Sequence, residues 1–349
     1  MQTNSVEGAA MKSIRVEDAV GMVLAHDLTK IVPGEFKGAP FKKGYVIRQE
    51  DIEVLKDMGK YHVFVVTMDL EDLHEEEGAK RIAEAACSGN LLLAPPSEGK
   101  VNIRAKERGL LRIDRKALEK INELGKLVLV TLHDNTLVEK DRIVAASKII
   151  PLTIEKELVE KAEQICRENP HIIDVKPIHP LKAGIVVTGS EVYYGRIKDK
   201  FGEVLTAKLL QYGGQPMDVR YTPDDADFIQ GIIRDFIQEG ADMVLISGGM
   251  AVDADDVTPR AISGMATEIV SYGAPLLPGA MCMAAYHDRI PLMGIPACAM
   301  FSKTTVLDVL LPRLLAGERL QKSDFSAFAH GGLCLHCEEC RYPVCPFGK

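Results

Sequence analysis

In the second half of the chain, short apolar runs alternate with amphipathic segments. AGIVVTG (residues 183–189) is almost continuously apolar and ends in glycine, as a strand buried on both faces would. EVLTAKLLQYGG then shows helical spacing and a glycine stop. PMDVRYT reads as a strand. DDADFIQGIIRDFIQEG reads as a helix with acidic residues at its positive end. ADMVLISGG is a strand, DVTPRAISG a short helix, RIPLMGIP a strand and SKTTVLDVLLPRLLAG a closing helix. This alternation predicts an α/β domain, a mostly parallel sheet with right-handed crossovers and helices on both faces.

The first half is less regular and reads as an α+β accessory region. GYVIRQEDIEVLKDMG places Ile52, Leu55 and Met58 at helical spacing before a glycine. HVFVV is a short strand. HEEEGAKRIAEAACSG, RKALEKINELG and ELVEKAEQICREN are helical, and LLLAPPSEGKVNIRA and KLVLVTL carry strands. Pro170, Pro177 and Pro180 punctuate a connector. The expected division is a loose extension over 1–10, small α+β modules over 11–72 and 73–180, the α/β domain over 181–320, and a cysteine-rich tail over 321–349.

Composition narrows the function. The chain is 46% hydrophobic and 26% charged, enough to build cores. A net charge of −8 argues against a broad electrostatic grip on nucleic acid or an anionic membrane. No run approaches the ~20 apolar residues of a membrane span, and the N-terminus has no secretory pattern. The expected location is the cytoplasm, with no nucleic-acid or membrane partner.

Ligands of parallel sheets sit beyond the carboxyl ends of the strands. Three loops should meet there: VVTGSEV, SGGMAVDADDVTP and GIPACAMFS. Gly248 and Gly249 permit a close backbone approach. A helix starting near Asp256 would aim free N–H groups at an anion. Carboxylates beside a phosphate suit a bridging Mg²⁺. The bland alternative is that Asp255 or Asp256 caps a helix and Glu191 is a solvated loop residue. Signatures of P-loop nucleotidases, dinucleotide dehydrogenases, zincins and serine hydrolases are absent.

VVTGSEV, LLQYGGQP and ADMVLISGGMAVDADDVTP, in that order, resemble the molybdopterin-binding domain of molybdenum-cofactor biosynthesis proteins. PGAMCMAAYHDRIPLMGIPACAMF and TTVLDVLLPRLLAG resemble the molybdotransferase type. The likeness covers about residues 181–318. It implies that Thr188, Gly189, Ser190, Ser247, Gly248, Gly249, Asp255 and Pro296 bind the pterin, and that Glu191, Asp242 and Asp256 act in catalysis. It further implies free or adenylated molybdopterin as ligand, Mg²⁺ as cofactor, molybdate or tungstate as the incoming oxyanion, and a homo-oligomer. The chain departs from the family at three places. IPACA stands where molybdotransferases have LPGNP, KDKFG replaces an acidic DSN stretch, and the first half holds no MDGYA motif. Metal insertion into molybdopterin, a non-catalytic pterin carrier or sensor, and a nucleotide-processing enzyme on the same fold all remain open.

The tail CLHCEECRYPVCPFGK spaces Cys334, Cys337, Cys340 and Cys345 as C-x2-C-x2-C-x4-C-P. Four thiolates this close suit an iron–sulfur cluster or a zinc ion. The spacing is one residue longer than the bacterial ferredoxin run, whose fourth cysteine serves a second cluster, and this chain has no partner set. The bland alternative is a redox-labile cluster of free thiols. Such a tail would dock the chain to a molybdoenzyme or an iron–sulfur protein. Cys87, Cys166 and Cys282 read as small core residues.

Overall fold

A computed structural model describes residues 11–32, 36–66, 72–97, 99–251, 253 and 256–348. The extension expected over 1–10 and the candidate residue Asp255 lie outside the described residues. The chain forms two compact units. The first takes the chain up to Lys106, with Ile113–Leu132 and Lys140–Asp174; the second takes Glu107–Arg112, His133–Glu139 and Val175–Lys349. Two short segments of the expected accessory region thus join the second unit. Strand pairing explains it: Leu111, Leu110 and Gly109 pair antiparallel with Thr136, Leu137 and Val138. Leu110 and Leu111 are fully buried.

In the first unit, a four-stranded antiparallel sheet is ordered Leu91–Leu93, Lys100–Ala105, Ile143–Ile149, Leu127–Thr131. Helices Glu75–Ala86 and Lys156–Glu168 pack together, joined by a two-pronged Arg81–Glu163 pair at 2.7 and 2.8 Å. A separate cluster gathers Leu24, Ile47, Leu55, Val63 and Val65 around helix Asp51–Asp57.

The second unit is built on six strands: β1 Lys182–Thr188, β2 Gln215–Thr222, β3 Met243–Ser247, β4 Glu268–Tyr272, β5 Met283–His287 and β6 Ile290–Ile295. Their order is β2-β1-β3-β6-β5-β4. The first four are parallel, and β5 and β4 continue the sheet antiparallel. The helices are α1 Ser190–Tyr193, α2 Phe201–Tyr212, α3 Ala226–Gln238, α4 Thr258–Met265, α5 Val306–Leu315 and α6 Lys322–Ala327. This is the expected α/β domain. Successive β1 residues serve opposite faces: Ile185 and Val187 pack with Leu205, Leu209, Leu307 and Leu311, while Val186 packs with Ile229, Ile233, Phe236 and Ile262. Two covered faces explain why the strand is apolar throughout.

The predicted stops and starts are built as the residues suggest. Gly213 ends α2 at φ 97°, and the Asp225 carboxylate caps α3 by accepting from Asp227 N and Phe228 N. Strands β4 and β5 were not legible. MAAYH has no strand-specific pattern, and only its pairing with β6 across the Asp288 turn makes it one. Helix α5 carries Pro312 in its interior. Proline has no N–H for the carbonyl four residues back, here that of Asp308. The Tyr342 hydroxyl donates to that carbonyl at 3.0 Å, which docks the tail. Among the described residues no helix is long and apolar enough to cross a membrane.

Candidate functional site

From β1 the chain crosses to β2 on one side and then to β3 on the other, so the strand order reverses beside β1. The loops after β1 and β3 leave in opposite directions there, and the crevice between them is where ligands of such sheets bind. Because β5 runs antiparallel to β6, the loop before it, 277–282, joins the same edge.

A cavity at this edge is lined by Gly248, Gly249, Asp256, Leu277–Met281 and Pro296–Cys298. The structure therefore brings four expected residues together: Gly248, Gly249, Asp256 and Pro296. Both glycines have positive φ, 92° and 52°. A Cβ on Gly248 would lie 2.2 Å from the Thr188 carbonyl oxygen, so no larger residue fits without moving backbone. The Thr188 and Thr258 hydroxyls lie 3.2 Å apart beneath these glycines. Ser247 Oγ is buried with no hydrogen-bond partner among the described residues. The Asp256 carboxylate accepts from Asp253 N at 2.9 Å, and Asp256 N donates back to Asp253 O at 3.0 Å. This closed turn holds Asp256 in the cavity wall. Helix α4 starts at Thr258, with Pro259 in its first turn, a position where the missing N–H costs nothing.

The β1 loop is held separately. Gly189 has φ 145° and donates to Thr222 O at 3.1 Å. Ser190 N donates to the Asp224 carboxylate at 2.8 Å, and Asp224 N donates to Ser190 Oγ at 3.3 Å. The Glu191 carboxylate folds back over Gly189 and does not line the cavity. Asp224 was missed in the sequence, where its PDD run reads as a helix start. Its carboxylate oxygen lies 3.6 Å from where a Gly249 Cβ would be, on the same edge as the two glycines. The signal available was its place just past a parallel strand.

Asp242 is not brought to the site. It precedes β3, whereas the site follows Ser247, about 16 Å away along five strand residues. There its carboxylate accepts from Lys182 N at 2.8 Å and Asp242 N donates to Lys182 O at 2.8 Å. Its role is to close the start of the β1–β3 pair. Ala299 stands where the family's second proline would be, and burial pushes the thiol of its neighbour Cys298 up. Burial likewise raises the Cys282 thiol to about 12. Neither is a ready nucleophile.

All four tail cysteines line a second cavity, with Phe301, Lys303 and Thr304 among its walls. Among the described residues, however, no three His, Cys, Asp or Glu side chains form a group that could hold a metal ion. Neither the zinc nor the iron–sulfur expectation is met by a preformed metal group there.

Comparison with known proteins bears on the edge cavity. Residues 184–316 match the family described as "Probable molybdopterin binding domain". This part of the chain belongs to the molybdopterin-binding domain family. Residues 13–67 match a domain of unknown function (DUF8806). A CinA-like protein of Mycolicibacterium gilvum is 37% identical over 82 residues, 24% of this chain and 19% of that protein. A CinA-like protein of Mycobacterium tuberculosis is 33% identical over the same length, again 24% and 19%. The match thus spans about a fifth of these curated relatives. Among solved structures, the molybdopterin biosynthesis enzyme MoaB of Thermus thermophilus is 19% identical with a TM-score of 0.35, over 40% of this chain and 98% of that one. The tungsten cofactor synthesizing protein MoaB of Pyrococcus furiosus is 19% identical with a TM-score of 0.33, over 38% and 90%. The molybdopterin-binding domain contains every candidate loop described above.

Proposed function

We propose that the molybdopterin-binding domain binds molybdopterin, free or adenylated, at the edge cavity, and that the protein acts in maturation of the molybdenum or tungsten cofactor. The observation that carries this is the joint placement of Gly248, Gly249, Asp256 and Pro296 around one cavity at the reversal of strand order. The two glycines bring bare backbone to the ligand, and the first turn of α4 adds a positive dipole end, so the phosphate belongs on this side. Leu277, Met250 and Met281 supply apolar surface for the fused pterin rings.

The donor set fits Mg²⁺, which needs only one or two carboxylates when phosphate oxygens complete its shell. Asp256 is the cavity carboxylate, and Asp224 is the other acid near Gly249. Glu191 would have to swing from Gly189 to join them. When bound, the ion would neutralise phosphate charge; the chain's own contribution is to hold the phosphate by backbone and to screen the rings from water. Molybdate or tungstate would be substrate. Its insertion is the catalytic form of the proposal; the absence of MDGYA and the IPACA loop support the alternative of a carrier or sensor. A nucleotide-processing activity draws on the CinA-like matches.

Anaerobic equilibrium binding of molybdopterin to wild type and Asp256→Ala tests the central claim. Expected is tight binding that Asp256→Ala weakens roughly tenfold or more, ~1.4 kcal/mol. No binding by the wild type would overturn it. Molybdate-dependent turnover separates transferase from carrier, and pyrophosphate release from a nucleotide would favour the third activity.

A further inference from the structure

The tail from residue 331 to 348 forms no helix or strand of its own, yet it is tied down at several points. Leu277 N donates to Gly332 O at 2.8 Å and Cys334 N donates to Leu277 O at 2.8 Å, a parallel bridge between Leu277 and Leu333. Gly348 N donates to Gly331 O at 3.0 Å, so the tail closes on itself. Phe347 is buried in the domain core, and Tyr342 fills the carbonyl that Pro312 leaves free. The cysteines are free thiols, so no disulfide staples the loop.

Within this closed loop Cys334, Cys337, Cys340 and Cys345 ring one cavity. Cys340 Sγ lies 3.2 Å from Thr304 Oγ1, which sets it against the wall. A single zinc ion needs four sulfurs ~2.3 Å from one point, and no such convergence exists among the described residues. A polynuclear cluster makes the opposite demand. Each thiolate binds a different iron, so the sulfurs must stand apart around a space. The C-x2-C-x2-C run gives three ligands of one four-iron cluster in bacterial ferredoxins, where the fourth cysteine of the run serves another cluster, whereas two-iron plant-type sites use C-x4-C-x2-C. Here Cys345 lines the same cavity as the other three. Lys303 and Arg341 also line the cavity against one acid, Glu338, leaving an excess of positive charge beside a group that carries net negative charge. Leu333, Leu335 and Phe301 line it too and are 68%, 71% and 83% exposed.

We propose that this cavity takes a four-iron, four-sulfide cluster ligated by Cys334, Cys337, Cys340 and Cys345. The inference does not rest on the molybdopterin reading, although Pro278 lines both cavities. Loading is a ligand exchange without electron transfer. Four iron–thiolate bonds to small-molecule ligands break, four iron–cysteine bonds form, and each cysteine proton leaves on a departing thiol.

The test uses the full chain under anaerobic conditions and a synthetic tetranuclear cluster carrying 2-mercaptoethanol ligands. After gel filtration, iron, acid-labile sulfide and visible absorption are measured. Expected are about four iron and four sulfide per chain with thiolate-to-iron charge-transfer absorption. Cys337→Ser and Cys340→Ser should each lower retained iron several-fold, while Cys166→Ser, outside the tail, retains it. Circular dichroism of the variants shows whether they fold; a folded variant that keeps its iron overturns the assignment. So does a wild type that retains no iron, or one that holds a single zinc against a chelator in place of the cluster. Molybdopterin binding is read on separate samples, so its failure leaves this result intact.

Discussion

Gly248 shows how little freedom a single position in the site has. Its φ of 92° already disfavours a side chain, and a Cβ would meet the Thr188 carbonyl oxygen at 2.2 Å. Gly240 has a similar φ of 87°, but a Cβ there would meet nothing within 4 Å among the described residues. Gly248→Ala is therefore expected to cost about 2 kcal/mol or more, and Gly240→Ala about 1, since only the first adds a backbone clash to the strain of a left-handed conformation. Denaturant unfolding of both variants checks the ordering, and equal losses would remove the case for a tight cradle at Gly248. The SGG triplet was legible because two glycines directly after a buried strand mark backbone that must turn or approach a ligand without side chains. Asp242 misled because matching a motif by residue does not show at which end of a strand it lies. Asp224 escaped because a carboxylate that starts a helix and one that faces a site look alike in one dimension.

The elements around the site are tied together from behind. Lys208, nearly buried on α2, donates to the Asp308 carboxylate at 2.5 Å and to Lys303 O at 3.0 Å, and the Tyr212 hydroxyl donates to the same carboxylate at 2.9 Å. Asp308 also closes the capping box of α5 with Thr305. Helix α5, the loop before it and α2 therefore form one hydrogen-bonded group, and Tyr342 and Cys340 are among its tail-side contacts. Tyr342→Phe should leave the Asp308 carbonyl without that donor, costing about 1–2 kcal/mol. Hydrogen exchange would report it as faster exchange at Leu277 and Cys334, whose amides pair the tail to the cavity loop. Unchanged exchange there would show that the tail is held by other contacts. The helices of this domain were legible from periodicity and glycine stops. The use of Pro312 was not, because its consequence falls on a partner 30 residues from it.

Across the whole molecule, charge is organised unevenly. In the second unit Glu318 receives Arg112 at 3.1 Å, Lys176 at 2.9 Å and Arg313 at 2.7 Å, with its side chain only 7% exposed. Burial pushes its carboxyl up, but the hydrogen bonds from Lys176 and Arg313 and the charge of Arg112 outweigh burial and hold it below the ordinary 4.5. A carboxyl lowered in the folded state stabilises above its unfolded value and loses that contribution as pH falls through its folded one. Thermal unfolding of wild type should therefore weaken below about pH 4.5 more steeply than that of Glu318→Gln. At neutral pH the variant should be less stable by about 3 kcal/mol, because three cations lose their buried partner. Parallel pH profiles would show that the network does not govern acid stability. By itself the sequence determined the class of the second half, its parallel strands, the loops that meet at their ends and the compact cysteine run, because periodicity, glycine position and spacing are local properties. Tertiary structure alone decided that β4 and β5 extend the sheet, that 107–112 and 133–139 pair within the second unit, that Asp256 lines the cavity while Glu191 and Asp242 do not, and that four thiols surround a space. Each of these depends on contacts between residues far apart in the chain, and on which end of a strand a residue occupies, which no local pattern encodes.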